Sequence, residues 1–280
     1  MYRIVFFDLH EPDEDFTDSL LDMGAAAVSN ERAGNKYSVT ALFDDLSAVR
    51  NNFSEGEYSV ETLTAEEWTG GWKKAFAGYR VDSGIYVAPP EGPGQGFDGK
   101  GLVIKIDPGA SFGTGSHPST TLCLRMIRKH LGGLRAAERA RLSALDAGTG
   151  SGILSVLMSL MGVGMITAVD VDPESIGSAE KNFSLNGCGR IVLMKKDAAG
   201  IEGEDLYGLI AANLTSDIIM ENLDHLGRLL KRDGVVIAGG IIDSMGSRME
   251  DFFKSKGWII KYRLKSRGWL SYAMTMAEGN

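Results

Sequence analysis

Three alternate glycines, Gly148, Gly150 and Gly152, stand between two aspartates, Asp146 and Asp170, and here residue types and spacing first suggest chemistry. An apolar run from Leu142 to Leu145 ends at Asp146. The glycines follow, and helical spacing begins at Ile153. The pattern reads as strand, tight turn and helix, the opening of a βαβ unit. A second short apolar strand, Met165 to Val169, ends in Asp170. Glycine at such a turn lets the backbone bend sharply and lets a ligand lie against it with no Cβ between them. Asp170 falls where a carboxylate can accept hydrogen bonds from both hydroxyls of a ribose, so the unit is expected to hold a nucleoside.

Which nucleoside depends on the register, which is D-x-G-x-G-x-G and not the G-x-G-x-x-G of a dinucleotide fingerprint; no phosphate-anchoring residue follows. In that register the turn resembles motif I of the class I S-adenosylmethionine (SAM) methyltransferases. Taken alone, a glycine-rich turn leaves SAM, another nucleotide and a purely structural bend all open.

A second constellation is the loop DPGASFGTGSHPSTT, which holds Phe112, Thr114, Ser116 and His117 ahead of a helix with Leu122, Met126, Ile127 and Leu131 on one face and Pro118 in its first turn. As a plain cap, Ser116 or Ser119 would satisfy helix-end amides. As a ligand loop, Phe112 would cover an apolar part of the cofactor and Thr120 would bond a polar part. His117 is the one histidine inside a motif and a candidate general base, with the organisation of the loop as its other role. Downstream, Asp197 follows a strand where a polar side chain can meet an adenine edge. Asn213 ends the apolar strand Leu206 to Ala212 and is the candidate for positioning the reacting group, or else a turn former. Asp107 and Glu174 read as loop and helix-start carboxylates.

The elements that carry these residues alternate. Pro173 starts a helix to Leu185, and Arg190 to Met194 is a strand. After Asn213 a helix runs to Leu230, then come a turn at Asp233-Gly234 and the strand Val235 to Ala238. A helix from Ser244 to Lys256 leads to two strands, Trp258 to Leu264 and Trp269 to Met276. Such alternation implies a parallel sheet wound on both faces with ligands outside the strands' carboxyl ends, and the closing hairpin separates it from a plain dinucleotide-binding fold. Gly84 to Ala88 and Leu102 to Ile106 are expected to form a hairpin.

Residues 1–63 read as a separate unit: strand Tyr2 to Leu9, helix Asp13 to Met23, strand Ala25 to Val28, strand Tyr37 to Phe43, helix Asp44 to Asn52 capped by Asp44 or Asp45, and strand Tyr58 to Leu63. The order βαββαβ suggests a ferredoxin-like sandwich serving substrate recognition. Residues 64–82 are expected to form a linker helix, with Trp68, Trp72 and Phe76 on one face. Residues 83–280 then form the larger domain.

Composition narrows the function classes. Hydrophobic residues at 44% and charged residues at 24% are those of an ordinary globular chain. A net charge of -8 disfavours a direct nucleic-acid substrate, which needs a dense basic surface. The start MYRIVFFDLHEPDEDF shows no signal peptide, and no run is long enough to span a bilayer. Two cysteines, Cys123 and Cys188, give no disulfide framework, and no Cys/His cluster has ligand spacing; a cytoplasmic protein without a metal is expected.

FGTGSHPST, LDAGTGSG, AVDVDP and AANL together, with WTGGWKKAF upstream and the βαββαβ start, resemble the ribosomal protein L-eleven methyltransferase family (PrmA) over nearly the whole chain. The resemblance implies a seven-stranded class I methyltransferase sheet behind a small ferredoxin-like domain. It also implies a SAM-dependent enzyme that methylates lysine side chains and the N-terminal amine of the large-subunit ribosomal protein L-eleven; a monomer is expected. It places cofactor contacts on Thr120, Gly148, Asp170 and Asn213; the residue reading adds Phe112, Asp146, Gly150 and Asp197. Departures lie outside this set: Gly78-Tyr79 in place of a proline, no tryptophan after Pro90, and Gly268 in place of an acidic residue. Another amine substrate, a non-catalytic binding module and a dehydrogenase remain as competing readings.

Overall fold

The structure is a computed structural model. It describes residues 2–9, 16, 19–20, 23, 25, 27–33, 36–43, 45–54, 56–63, 78–93, 97, 99–107 and 117–277. The chain divides into two compact units, Met1–Gly78 and Tyr79–Asn280. Most of the helix expected over 13–23 lies outside the described residues, though Phe16, Ser19 and Leu20 are helical; so do residues 64–77 of the expected linker helix.

In the first unit, β1 (Tyr2–Leu9), β2 (Ala27–Ala33), β3 (Lys36–Phe43) and β4 (Tyr58–Thr62) form an antiparallel sheet in the order β2-β3-β1-β4, with the short helix α1 (Ser47–Asn52) before the last strand. This is the ferredoxin-like order. Period-two alternation sends Ile4 and Phe6 of β1 and Val39, Ala41 and Phe43 of β3 into one core with Leu20 and Val49. Phe6 packs on Phe53 with ring centroids 4.7 Å apart. β2 starts at Ala27 and runs to Ala33, longer than its apolar residues indicated, because the backbone ladder continues from Ala27↔Leu42 to Ala33↔Lys36 regardless of side-chain polarity. α1 also starts later than expected: Leu46 holds the N-cap position without a side-chain bond, and Asp45 Oδ1 accepts the amide of Ser47 at 3.3 Å.

The second unit opens with a three-stranded sheet of β5 (Tyr79–Asp82), β6 (Ile85–Ala88) and β7 (Leu102–Lys105). The expected β6–β7 hairpin is corrected here. β5 and β6 form the antiparallel pair, while β6 and β7 run parallel, with the Gly/Pro-rich connection carrying the chain back to the start of the sheet. Tyr79–Asp82 is therefore strand and not the end of a helix.

The rest is α2 (Pro118–Gly132), α3 (Ala136–Arg139), β8 (Ser143–Ala147), α4 (Ile153–Leu160), β9 (Met165–Asp170), α5 (Pro173–Leu185), β10 (Ile191–Lys195), β11 (Tyr207–Asn213), α6 (Ser216–Leu229), β12 (Leu230–Ile242), α7 (Gly246–Ser255), β13 (Trp258–Ser266) and β14 (Trp269–Met276). Seven strands form one sheet in the order β10-β9-β8-β11-β12-β14-β13. β14 enters antiparallel between β12 and β13, as the closing hairpin required. That hairpin turns through Arg267 and Gly268, both at positive φ (46° and 73°), the pair of left-handed residues that a tight twisted turn demands. The same conformation accounts for glycine at 268. β12 is longer than the expected Val235 to Ala238: its pairing begins at Leu230 opposite Tyr207 and resumes, after an irregularity, at Val235 opposite Leu209. No described helix is long and apolar enough to cross a membrane.

Candidate active site

Because β8, β9, β10 and β11 are parallel, their carboxyl ends meet on one edge of the sheet. Read across that edge, Asp197 lies just past β10, Asp170 ends β9, the glycine turn follows β8, and Asn213 ends β11. The topology thus brings the sequence candidates into one row.

The turn is held by side chains on three sides. Asp146 is fully buried, and its Oδ2 accepts the hydroxyls of Thr149 (2.8 Å) and Ser155 (2.7 Å) and the amide of Ser155 (3.1 Å). Burial raises its pKa, partly opposed by those bonds from Ser155 and Thr149, and the charge of Asp170 adds to the rise. Asp170 Oδ2 accepts the amide of Gly150 at 2.9 Å, and its Oδ1 accepts that of Asp172 at 3.0 Å. Asn182, 0% exposed on α5, donates from Nδ2 to the carbonyl of Ser151 at 2.8 Å. Its Oδ1 accepts the amide of Asp107 at 2.8 Å. Between these holds Gly148 sits at φ 74°, and a Cβ there would come within 2.5 Å of Leu214 Cδ2.

On the far side, Asn213 Nδ2 donates to Thr120 Oγ1 at 3.1 Å, which fixes the carboxamide, and Thr120 is itself buried on α2. Asn213 Oδ1 is a buried acceptor with no partner, and so is Asp146 Oδ1. Behind Asn213 the space is closed: a Cβ on Gly239 would run into Cys123 Sγ and lie 2.8 Å from Ser271 Oγ. Burial pushes the Cys123 thiol up to about 12, so it packs as a small neutral group.

His117 occupies the N-cap of α2. Its Nδ1 accepts the amide of Ser119 at 3.3 Å and faces Ser119 Oγ at 2.8 Å, and its ring meets Trp269 edge to face at 4.5 Å. The cap expected of Ser116 or Ser119 is thus made by histidine. Burial lowers the His117 pKa, favouring the neutral ring that an N-cap acceptor needs. Asp107 pairs with Lys181, and Glu174 lies in the first turn of α5 behind the Asp172 cap. Phe112, Thr114 and Ser116 lie outside the described residues.

Two contributors escaped sequence reasoning. Asn182 reads as an ordinary mid-helix polar residue, and only its zero exposure marks it. Val171, an apolar side chain 61% exposed directly after Asp170, can cover a flat base; an apolar residue following the candidate ribose carboxylate was its signal.

These residues fit SAM. The row Asp197, Asp170, glycine turn, Asn213 follows the order purine, ribose, sulfonium amino acid. The two orphaned buried acceptors, Asp146 Oδ1 and Asn213 Oδ1, suit N–H donors. The D-x-G-x-G-x-G register of the turn is not the G-x-G-x-x-G of a pyrophosphate-binding one. Sheet order, antiparallel closing strand and nucleoside row define a class I SAM-dependent methyltransferase.

Comparison with known proteins takes this to a family. The family model "Ribosomal protein L11 methyltransferase (PrmA)" matches residues 8–277, and the chain belongs to that family. The ribosomal protein L11 methyltransferase of Bacillus pumilus is 32% identical over 232 residues, 82% of this chain and 70% of the relative. That of Caldicellulosiruptor bescii is 35% identical over 205 residues, 73% of this chain and 62% of the relative. The crystal structure of ribosomal protein L11 methylase from Lactobacillus delbrueckii subsp. bulgaricus superposes with a TM-score of 0.64 at 27% identity, covering 72% of this chain and 99% of that one.

Proposed function

We propose that the chain methylates ribosomal protein L11 at lysine side-chain and N-terminal amines, acting as a monomer in the cytoplasm. Membership of the family supports the substrate. The observation that carries the chemistry is Asn213: its amide nitrogen is spoken for by Thr120, and its oxygen is buried and unpartnered at the end of β11.

Bound along the row, SAM supplies a methyl group activated by its sulfonium. The residues' task is alignment, since an in-line displacement needs nitrogen, carbon and sulfur held collinear. Asn213 Oδ1 accepts an N–H of the incoming amine and so directs the nitrogen lone pair, while Thr120 keeps the carboxamide from turning over. A lysine amine of pKa about 10.4 is neutral in only about one molecule in a thousand near pH 7.4. A carboxamide oxygen suits this reaction better than a carboxylate, because it binds the amine without adding a negative charge that would hold it as ammonium. His117 Nδ1 is committed to Ser119, so we assign the ring to holding the start of α2, and the proton leaves to solvent. Thr120, Asp146, Gly148, Gly150, Asp170 and Asp197 are assigned to the cofactor, Asp146 Oδ1 meeting its ammonium. The ferredoxin-like unit is assigned to recognising the ribosomal protein.

Incubation of ribosomal protein L11 with the chain and isotope-labelled SAM, followed by peptide mass spectrometry, tests this reading. Label on lysine and N-terminal amines is expected. An L11 left unlabelled by enzyme that binds SAM would overturn the substrate.

A further inference from the structure

Past the end of β10, residues Ala198–Gly200 make a single 3-10 turn, with the exposed Asp197 at its start accepting the amide of Ala199 at 3.0 Å. Against this turn stands His225 of α6. Its Nε2 lies 3.1 Å from the carbonyl oxygen of Ala198, and its Nδ1 lies 3.0 Å from Arg228 Nη2. These two neighbours determine the tautomer. A guanidinium has donors and no acceptor, so Nδ1 must offer its lone pair; the ring proton then sits on Nε2 and is donated to the Ala198 carbonyl. The imidazole is a neutral strut from α6 to the backbone of the turn. The turn's other side is held differently: Ile201 N donates to the same carbonyl at 3.1 Å, and the Ile201 side chain is buried in the core that includes Ile219, Leu223 and Leu226 of α6.

The strut matters because of where the turn lies. Lys195, the last residue of β10, pairs with Asp170, and Lys196 N donates to the Asp170 carbonyl at 2.9 Å. Asp197 is the next residue, so the purine end of the row hangs on the backbone that His225 holds. We propose that His225 is a positioning residue for the adenine of the cofactor: by anchoring the Ala198 carbonyl it fixes Asp197 where the carboxylate can accept from the purine's amino edge. This rests on the assignment of Asp197 to the cofactor. Without the strut the turn keeps its internal hydrogen bonds and its hydrophobic anchor at Ile201 but loses its polar tie to α6, and Asp197 gains freedom that must be given up on binding.

The test is calorimetric titration of the full chain with S-adenosylhomocysteine, and with its inosine analogue, in which a carbonyl oxygen replaces the purine amino group. The proteins are the wild type, His225→Ala, His225→Gln and Asp197→Ala. His225→Ala is expected to weaken S-adenosylhomocysteine about tenfold, the size of one lost hydrogen-bonded hold. His225→Gln, whose amide N–H reaches the place of Nε2–H, is expected to restore affinity to within about threefold of wild type. The wild type's preference for the adenine ligand is expected to shrink in His225→Ala and in Asp197→Ala alike. In turnover, the His225→Ala loss is expected on KM for SAM and not on kcat. Wild-type affinity in His225→Ala, or a His225→Gln as weak as His225→Ala, would overturn the positioning role. If Asp197→Ala bound both ligands as the wild type does while His225→Ala was weak, the assignment of Asp197 would be what failed.

Discussion

Asn213 at the end of β11 and His117 at the N-cap of α2 divide the work that a single residue type could not do. Asn213 is pinned through its nitrogen, and its oxygen is buried and unpartnered, so its contribution is geometric. Asn213→Ala is therefore expected to lower kcat about a hundredfold through lost alignment, with near-UV circular dichroism little changed and a smaller loss of SAM affinity; unchanged turnover would contradict the role. His117 answers to pH instead. Burial depresses its pKa below 6.5, and the positive end of α2 disfavours a charged ring as well. A depressed pKa means that the folded protein binds fewer protons than the unfolded chain. Its stabilising share is therefore present above about pH 6.5 and lost as pH falls through the depressed value. The melting temperature is expected to drop on acidification over that window, less steeply in His117→Asn, whose carboxamide caps at any pH. His130, also depressed by burial, gives a slope of the same sign, so some fall remains. An identical slope in the variant would show that the cap does not titrate.

Among elements, the glycine turn depends on its neighbours more than on itself. Asp146 holds it from β8, Asp170 from β9 and Asn182 from α5; Asn182 also ties the exit of β7 through the Asp107 amide. Removing Asn182 takes a partner from two backbone groups at once, in a place water does not reach. Asn182→Ala is expected to cost about 1–3 kcal/mol of stability in urea titration and to weaken SAM binding; a variant as stable as wild type would show that the turn stands without it. The sequence already showed the turn, Asp170 and the alternating elements, because glycine spacing and strand-end acids are local signals. Asn182 did not show, since an asparagine within a helix looks the same whether it faces solvent or braces a turn. The β6–β7 pairing was misread for a similar reason: short apolar strands look alike in parallel and antiparallel pairs, and direction is set by the path of the long connection. The cap by His117 was masked by two nearby serines of better capping propensity.

At the scale of the whole molecule, the chain carries a net charge of -8. If its substrate is a basic ribosomal protein, long-range attraction assists encounter, and salt screens it over about 10 Å at 0.1 M. Raising salt from about 50 mM to about 500 mM is expected to raise KM for the protein substrate severalfold while SAM affinity stays flat, since the contacts proposed for the cofactor are short-range. A KM indifferent to salt would remove the charge argument. The strand orders of the four-stranded and seven-stranded sheets were legible, down to the antiparallel β14 that closes the larger one, while the sheet of β5, β6 and β7 was not.

The most direct measurement of the central claim is a crystal structure of the chain with S-adenosylhomocysteine. The ribose hydroxyls are expected on Asp170, the purine between Val171 and the Asp197 turn, and the sulfur directed toward the unpartnered oxygen of Asn213. A nucleoside bound away from Asp170, or a sulfur turned from Asn213 with no path to solvent, would contradict the account.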